Sequence, residues 1–318
     1  MRRQSLLAQH PRVGQYLLSL LSAVTQAKYL AAQEAFSLWL DGVKVPFATL
    51  QEENQDTILA EYVLDLRDEP LKTVQDARIT VSAIQKLWPR RQYSASWAVV
   101  AGWAREQGPR EAPPLGASLA YSMVAAAILA GQPAVAVALF LAWEGMLRIG
   151  EALGLRRGDV HRTQDGLVLL LPKTKRGLNE RVLIKAPGAV RWLLRFLELH
   201  KRSPEDRVSG ASYASVRAWI PKLARFLGAD GVAWRSHSFR RGSATHCWLH
   251  LGWSLADVAL FGRWASESSC RLYIRSAEAA LVRQDADVPE ATMKRRCFLA
   301  ALGDKVFDLD VSPGTLRA

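Results

Sequence analysis

The sequence predicts a mainly α-helical protein with a small antiparallel β-sheet, arranged as two domains. Three observations lead to this prediction. Apolar residues recur at a helical period over most of the 318 residues, short β-type runs lie between 160 and 184, and Pro and Gly interrupt the pattern at 105–117. A chain of this length is long enough for two domains of ordinary size. We therefore expect a helical domain on each side of the break, with the sheet in the second.

The balance of charges indicates a polyanionic partner. The chain has 42 Lys and Arg residues against 30 Asp and Glu residues, a net charge of +12 and a pI of about 9.9. This excess favours nucleic acid or an anionic membrane surface, although solubility would account for the charge by itself. Cys247, Cys270 and Cys297 are too few and too scattered for a disulfide framework or a metal cluster, which favours a reducing intracellular compartment.

The first domain is predicted to be a helical unit at 25–104, preceded by an N-terminal extension at 1–24 and followed by a linker at 105–117. Its first helix is expected to run from Thr25 to Leu40 and to end at Asp41-Gly42. Four helices of this size form a compact all-α unit.

Two pairs of residues predict where helices of this unit begin. Thr49 with Glu52, and Thr73 with Asp76, have the spacing of a capping box, in which side chains bond to the exposed N–H groups of the first turn. A shorter fourth helical pattern lies around residues 94–103.

The second domain, 118–318, is predicted to begin with two helices rich in Ala, Val and Leu. Gly131-Gln132-Pro133 separates them, and each half is too short to span a bilayer. We therefore expect two buried helices and no membrane partner.

An arginine follows these helices in an almost wholly apolar setting. Arg148 lies three residues before Glu151, so we expect both on one face of a helix. A partly buried guanidinium group requires an anion. Glu151 is either that anion or the group that holds Arg148 in place for an external phosphate.

Three β-type runs are predicted at 160–162, 167–171 and 181–184, and a basic hairpin turn lies between the last two. The turn reads Pro172-Lys173-Thr174-Lys175-Arg176-Gly177, and residues 148–185 hold nine Lys or Arg against four acids. The positive charge is therefore concentrated here, although a basic turn is ordinarily a solvated one.

The segment from His237 to Tyr273 contains the residue types that a phosphoryl transfer needs. His237 and Arg240 are one helical turn apart, and Trp264 and Tyr273 follow at nine residues from each other. Two guanidinium groups can hold the oxygens of a phosphodiester, an indole N–H can donate to one, and a phenol is an accepted covalent nucleophile. Taken singly, these residues have ordinary roles as a helix cap, a core residue and a packed aromatic.

At these positions the chain resembles the tyrosine recombinase (phage integrase) family. The resemblance covers about 114–280 and lies in Leu147-Arg148-Ile149-Gly150-Glu151-Ala152-Leu153, in His237-Ser238-Phe239-Arg240 with Ala244-Thr245-His246, and in Gly262-Arg263-Trp264 with Tyr273. Lys173 stands where that family has its β-hairpin lysine. The helices at 25–104 are similar, with less specific motifs, to the family's SAM-like core-binding domain, and 118–318 to its catalytic domain with a C-terminal tail.

The resemblance implies a site-specific DNA recombinase that cuts and rejoins duplex DNA, in integration or excision. Tyr273 would form a 3′-phosphotyrosyl link, Arg148 and Arg240 would bind the phosphate, His237 and Trp264 would assist, and Lys173 would act on the leaving 5′-oxygen. It further implies no cofactor, metal or ATP, a homotetramer on two double-stranded DNA sites, and a DNA-associated location inside the cell.

The chain departs from the family pattern in three places, and other functions stay open. Trp264 stands where many members have His, Arg241-Gly242 replaces the usual His after the second arginine, and Lys175 competes with Lys173 for the hairpin role. One alternative is a DNA-binding protein of this fold that does not cut. Another is a DNA-relaxing enzyme similar to type IB topoisomerases.

Overall fold

A computed structural model describes residues 11–107, 112–173, 178–201, 203–271, 274 and 290–301. The chain divides into two compact units, Met1–Arg110 and Glu111–Ala318. It is mainly helical, with one three-stranded antiparallel sheet, which confirms the predicted fold class. None of the described helices is long and apolar enough to cross a membrane.

The described part of the first unit is helical. Its helices are α1 (Pro11–Ser19), α2 (Ala23–Val43), α3 (Glu52–Asp68), α4 (Val74–Leu87) and α5 (Ser94–Glu106). An aromatic cluster lies in their shared core, where the Phe36 ring centroid is 5.0 Å from those of both Phe47 and Tyr62. Ring pairs at this separation add to the stability that apolar burial provides.

Two predicted helix boundaries in this unit are wrong and one is confirmed. Helix α2 passes through Gly42 and ends where Lys44 adopts a left-handed conformation and donates its N–H to the Leu40 carbonyl. Thr49 lies in a 3₁₀ turn and donates to Pro46, so it does not cap α3. The capping box of α4 does form, because Asp76 accepts the Thr73 backbone N–H at 2.8 Å.

A buried carboxylate from α3 caps the start of α5. Asp56 accepts the backbone N–H groups of Ala95 and Ser96 at 2.7 and 2.9 Å, and the Ser96 hydroxyl at 2.7 Å. The N-cap residue of α5, Tyr93, makes no side-chain cap of its own. Asp56 thus satisfies the exposed donors of that helix from a residue 39 positions away.

The second unit is built on two buried helices, as the sequence predicts. Helices α6 (Ala117–Leu129) and α7 (Pro133–Glu144) are apolar on nearly all sides and pack against each other. Further helices surround them: α8 (Ile149–Gly154), α9 (Pro187–His200), α10 (Tyr213–Phe226), α11 (Ser236–His250), α12 (Leu255–Phe261), a helical segment at 267–271 and α13 (Glu290–Ala301).

The sheet follows α8 and contains β1 (Val160–Thr163), β2 (Gly166–Lys173) and β3 (Leu178–Ile184) in chain order. The β2–β3 register pairs Leu171 with Glu180 and Lys173 with Leu178. The inward side chains of β2 and β3 are large aliphatic residues that join the core of the unit.

Helix α11 lies deep in this unit because a glycine allows close backbone contact. A β-carbon on Gly242 would lie 2.1 Å from the Leu115 carbonyl oxygen, so only glycine fits there. The Leu115 N–H donates to the Ser238 carbonyl at 3.1 Å across the same contact. The close approach buries Arg240 and Arg241 and fixes their position.

Helix α13 packs against α6 and is fixed at the end of α10 by a buried arginine. Arg296 donates from Nε to the Leu227 carbonyl at 2.9 Å and from Nη2 to the Gly228 carbonyl at 3.0 Å. These carbonyls lie just past the C-terminus of α10, where backbone acceptors lack helical partners. Arg296 therefore has a structural role as a helix cap.

Candidate functional site

Arg148 is the N-cap residue of α8, not a residue within a helix. Its backbone is extended, and Glu151 at the third helical position accepts both the Arg148 N–H (Oε2, 2.8 Å) and the guanidinium Nη1 (Oε1, 2.7 Å). The expectation that both residues share a helical face was therefore wrong. The pair forms because a carboxylate at this position can reach back to the cap. The Arg148 side chain keeps 30% of its surface exposed.

Arg240 reaches the same place from α11 and is almost fully buried, at 2% exposure. Its Nη1 donates to the Met146 carbonyl at 2.6 Å, and its Nη2 donates to the Gly262 carbonyl. The guanidinium carbon lies 4.6 Å from the centre of the Trp264 ring, which is a cation–π contact. Two distant chain segments, at Met146 and at 262–264, thus hold one arginine of α11.

Trp264 reaches Arg240 because of the turn that precedes it. A β-carbon on Gly262 would lie 1.6 Å from an atom of the indole, so the ring covers the glycine directly. Arg263 between them has a left-handed backbone, with φ of 58°. The turn therefore folds the indole back over the end of α12, against the Arg240 guanidinium.

Glu151 is the shared anion of three arginines. Besides its contact with Arg148, its Oε2 accepts Arg263 Nη2 at 2.6 Å and lies 3.9 Å from Arg240 Nη1. Burial by itself would raise the pKa of Glu151, but Arg263 and Arg148 lower it below its ordinary value. Glu151 is therefore an ionised carboxylate that holds the arginines in one cluster.

Sequence reasoning missed the contribution of Arg263. The residue is 5% exposed, and its Nε lies 3.3 Å from Glu180 Oε2 on β3. Its position directly before a predicted site tryptophan was a signal, but its left-handed backbone and its two carboxylate contacts cannot be seen in the sequence. We call Arg148, Arg240, Arg263, Glu151 and Glu180 the arginine cluster.

His237 stands beside the arginine cluster at the first turn of α11. Burial lowers the pKa of His237 below its ordinary value, and the charges of Arg240 and Arg148 lower it further. The imidazole is therefore neutral at neutral pH and can accept or donate a hydrogen bond. A cavity of about 400 Å³ lies between α10 and the start of α11, and Arg217, Trp234, Arg235 and Ser236, the residue before His237, line it.

Two predicted site residues cannot be placed by their side chains. Lys173 is the last residue of β2, and its backbone pairs with Leu178. The Lys173 side chain is not among the parts that the structure describes. Residues 174–177, which include the competing Lys175, also lie outside the described residues. Tyr273 lies outside the described residues. The structure thus brings together Arg148, His237, Arg240 and Trp264, and leaves Lys173 and Tyr273 as predictions.

The arrangement is suited to holding a tetrahedral anion. Guanidinium groups present paired N–H donors that match phosphate oxygens, and an indole N–H adds a further donor. Within the described residues, no group of three or more His, Cys, Asp and Glu side chains is placed to hold a metal ion.

The fold has recognisable relatives among solved structures, although no protein-family model and no curated protein sequence matches the chain. The XerH site-specific recombinase bound to palindromic difH substrate, in a post-cleavage complex, superposes with a TM-score of 0.57 at 15% identity, over 80% of this chain and 77% of that one. The fold is that of the tyrosine recombinases. A pre-cleavage complex of XerH with difH substrate agrees, with a TM-score of 0.54 at 16% identity over 80% and 78% of the two chains. At such identities the tyrosine recombinase likeness concerns the fold, and the chemistry rests on the residues themselves.

Proposed function

We propose that the chain is a site-specific DNA recombinase that cuts and rejoins duplex DNA through a 3′-phosphotyrosyl intermediate on Tyr273. The observation that carries this proposal is the convergence of Arg148, Arg240 and His237. Arg148 and Arg240 lie 92 positions apart in the chain, yet both face the same carboxylate, Glu151, and both act on the pKa of His237. A phosphodiester is the anion that this arrangement fits best.

The charge of the arginine cluster supports an external anion. The cluster has three guanidinium groups against two carboxylates. Burial lowers the pKa of the adjacent His237, so its imidazole adds no positive charge at neutral pH. A buried cation without a full counter-charge is costly, so an arriving phosphate gains strongly from such a site. The Arg148 side chain is 30% exposed, so solvent and substrate can reach this arginine of the cluster.

The proposed reaction assigns one role to each residue. The Tyr273 oxygen attacks phosphorus, the bond to the 5′-oxygen breaks, and that oxygen takes a proton from the hairpin lysine, Lys173 or Lys175. His237 is the acceptor for the phenol proton, while Arg148 and Arg240 bind the non-bridging oxygens and Trp264 donates to one of them. Rejoining is the reverse reaction with a new 5′-hydroxyl, so the bond energy is retained without ATP.

Duplex DNA is the proposed partner because of both the surface charge and the comparison. The exposed face of α10 carries Arg217, Lys222 and Arg225, and Arg217 also lines the cavity between α10 and the start of α11. Cations spaced along a helix contact successive phosphates, and such binding weakens steeply with salt. The XerH structures hold their difH substrate on the same fold. We extend this to the predicted core-binding unit at 25–104 and to a tetramer on two DNA sites.

The test captures the intermediate without knowledge of the target. Genomic fragments that become covalently bound to the protein are enriched and their ends sequenced, and the recovered site is then built into a nicked duplex that traps the adduct. Tyr273→Phe should abolish the adduct and keep DNA binding. Tyr16→Phe, a change at an exposed tyrosine of α1, is the control and should keep both.

Three outcomes separate the candidate functions. An adduct on Tyr273 with strand exchange between two sites supports the recombinase. Relaxation of supercoiled DNA without exchange indicates the topoisomerase-like enzyme. DNA binding at low salt with no fragment captured covalently would refute the proposal and indicate a DNA-binding protein.

A further inference from the structure

We propose that Arg263 is a positioning residue that couples the β2–β3 hairpin to the phosphate-binding arginines. The inference rests on the proposed function, because it assigns the residue that joins the two halves of that site. Arg263 contacts Glu151 beside Arg148 on one side and Glu180 of β3 on the other. Arg263 therefore contacts two different carboxylates of the arginine cluster, at 2.6 and 3.3 Å.

The contact between Arg263 and Glu151 fixes the orientation of the Glu151 carboxylate. Glu151 Oε1 accepts Arg148, and Oε2 accepts Arg263 at 2.6 Å while Arg240 Nη1 stays at 3.9 Å. If the Arg263 guanidinium is removed, Oε2 loses its nearest cation, and Arg240 is the next cation in reach. Arg263 therefore keeps Glu151 from drawing Arg240 away from an incoming phosphate.

The contact with Glu180 connects the cluster to the hairpin. Glu180 pairs with Leu171 in the sheet, two residues along β2 from Lys173. At about 3.3 Å per strand residue, the Lys173 backbone lies about 7 Å further along the same ladder. A fixed Glu180 therefore fixes the strand pair close to the point at which the hairpin lysine leaves it.

The energetics of Arg263 argue against a purely structural role. A left-handed backbone costs a non-glycine residue roughly 1–2 kcal/mol, and Arg263 has that conformation with φ of 58°. Its Nε and Glu180 Oε2 are buried at 3.3 Å, yet neither forms an aligned hydrogen bond with the described residues. Strain together with an incomplete buried contact is typical of functional sites, where geometry is maintained at the expense of stability.

The left-handed backbone at Arg263 makes a glycine substitution a suitable test of the proposal. Arg263→Gly removes the guanidinium and suits the left-handed turn, so the fold should be retained. Arg263→Lys keeps the charge without the paired donors, and Glu180→Gln removes only the hairpin side of the connection. Lys44→Gly is the matched control, because Lys44 has the same left-handed conformation, with φ of 57°, in the first unit.

The first measurement does not depend on DNA cleavage. Amide hydrogen exchange of β2 and β3 should become about 10–100-fold faster in Arg263→Gly and in Glu180→Gln, as expected for a lost charge-assisted contact. Lys44→Gly should leave these amides at the wild-type rate. Unchanged exchange in Arg263→Gly would overturn the proposed coupling, whether or not the protein cuts DNA.

The second measurement uses the nicked duplex built from the captured site. Arg263→Gly should form the Tyr273 adduct about 10–100-fold more slowly at saturating DNA, with the dissociation constant for the duplex unchanged, because misplacement affects the chemical step. Arg263→Lys should recover part of this rate, and adding Glu180→Gln to Arg263→Gly should cause no further loss. An adduct rate in Arg263→Gly equal to that of Lys44→Gly, or a Lys variant no faster than the Gly variant, would refute the positioning role.

Discussion

The two units of this protein bury different kinds of polar group. In the described part of the first unit the buried polar side chains are two amides, two hydroxyls and the carboxylate of Asp56, whereas the second unit buries Arg240, Arg241, Arg263 and Arg296. Asp56 satisfies backbone donors that would otherwise be exposed in a core, so it stabilises the fold. A buried guanidinium group needs acceptors for its N–H groups. In the second unit some of these acceptors are carboxylates and others are backbone carbonyls.

The contrast shows that burial of a charge does not reveal its purpose. Arg296 is as buried as Arg240, but its described partners are the carbonyls at the end of α10, which is a structural task. Arg240 also donates to two carbonyls, those of Met146 and Gly262, but in addition it lies against an aromatic face and 3.9 Å from a carboxylate that two other arginines share. The partners, and not the degree of burial, distinguish an anion site from a cap.

The largest expected effect is on the proposed chemical step. Arg240→Met should slow formation of the Tyr273 adduct by about 10²–10³-fold, the usual loss when a donor to a transition-state oxyanion is removed. The free energy of unfolding should also fall by about 1–3 kcal/mol, because the Met146 and Gly262 carbonyls lose their donor. The adduct rate is therefore measured well below the unfolding temperature of the variant. Arg241→Met, one residue along α11, is the control, since Arg241 donates to the Ala112 carbonyl at 2.9 Å. Equal losses of adduct in both variants would contradict the assignment.

The next largest effect breaks the fold of the first unit. Asp56→Ala should lower the free energy of unfolding by about 2–4 kcal/mol, because it leaves the Ala95 and Ser96 N–H groups buried without their acceptor. Chemical denaturation with urea measures the loss. Asp68→Ala, at the C-terminal end of the same helix, should stay within about 0.5 kcal/mol, and an equally small change for Asp56→Ala would show that water replaces the cap.

A smaller effect tests the distinction between the two buried arginines. Arg296→Met should lower the free energy of unfolding by about 1–3 kcal/mol through loss of the carbonyl contacts at the end of α10. The rate of adduct formation should stay at the wild-type value once the protein is folded. Lys294→Met on the exposed side of α13 is the control for stability. A selective loss of adduct rate in Arg296→Met would place that residue in the site.

The smallest effect is a dependence of stability on pH. Burial and then the charges of Arg240 and Arg148 hold the folded-state pKa of His237 below the unfolded value. The unfolded chain therefore binds the proton first, and stability that is complete above pH 6.5 is lost as the pH falls toward the folded-state pKa. His237→Gln should reduce this slope in thermal unfolding between pH 7.5 and 5.5. Part of it should remain, because the pKa values of His200 and His246 are lowered in the same direction. An identical slope in the variant would contradict the prediction.

Much of the architecture could be predicted from local sequence patterns, and the helix boundaries that were misplaced also have local reasons. The split between α6 and α7 at Gly131-Gln132-Pro133 and the capping box at Thr73 were predicted, since both depend on nearby residues. The end of α2 and the start of α3 were misplaced. Helix α2 continues past Gly42 to the left-handed cap at Lys44, and Thr49 lies in a 3₁₀ turn. The cap that Asp56 provides for α5 could not be predicted, because it comes from another helix.

The sequence by itself determined the helical and strand periods, the basic excess and the residues Arg148, His237, Arg240 and Trp264 as one candidate set. Residue type and spacing limit both local structure and available chemistry, so these features needed no coordinates. Only the tertiary structure decided that Arg148 is a helix cap, that Glu151 serves three arginines, and that Arg263 connects them to Glu180 on β3. These contacts join segments up to 112 positions apart, and they depend on how close the backbones pack, which glycines such as Gly242 permit and no local pattern encodes.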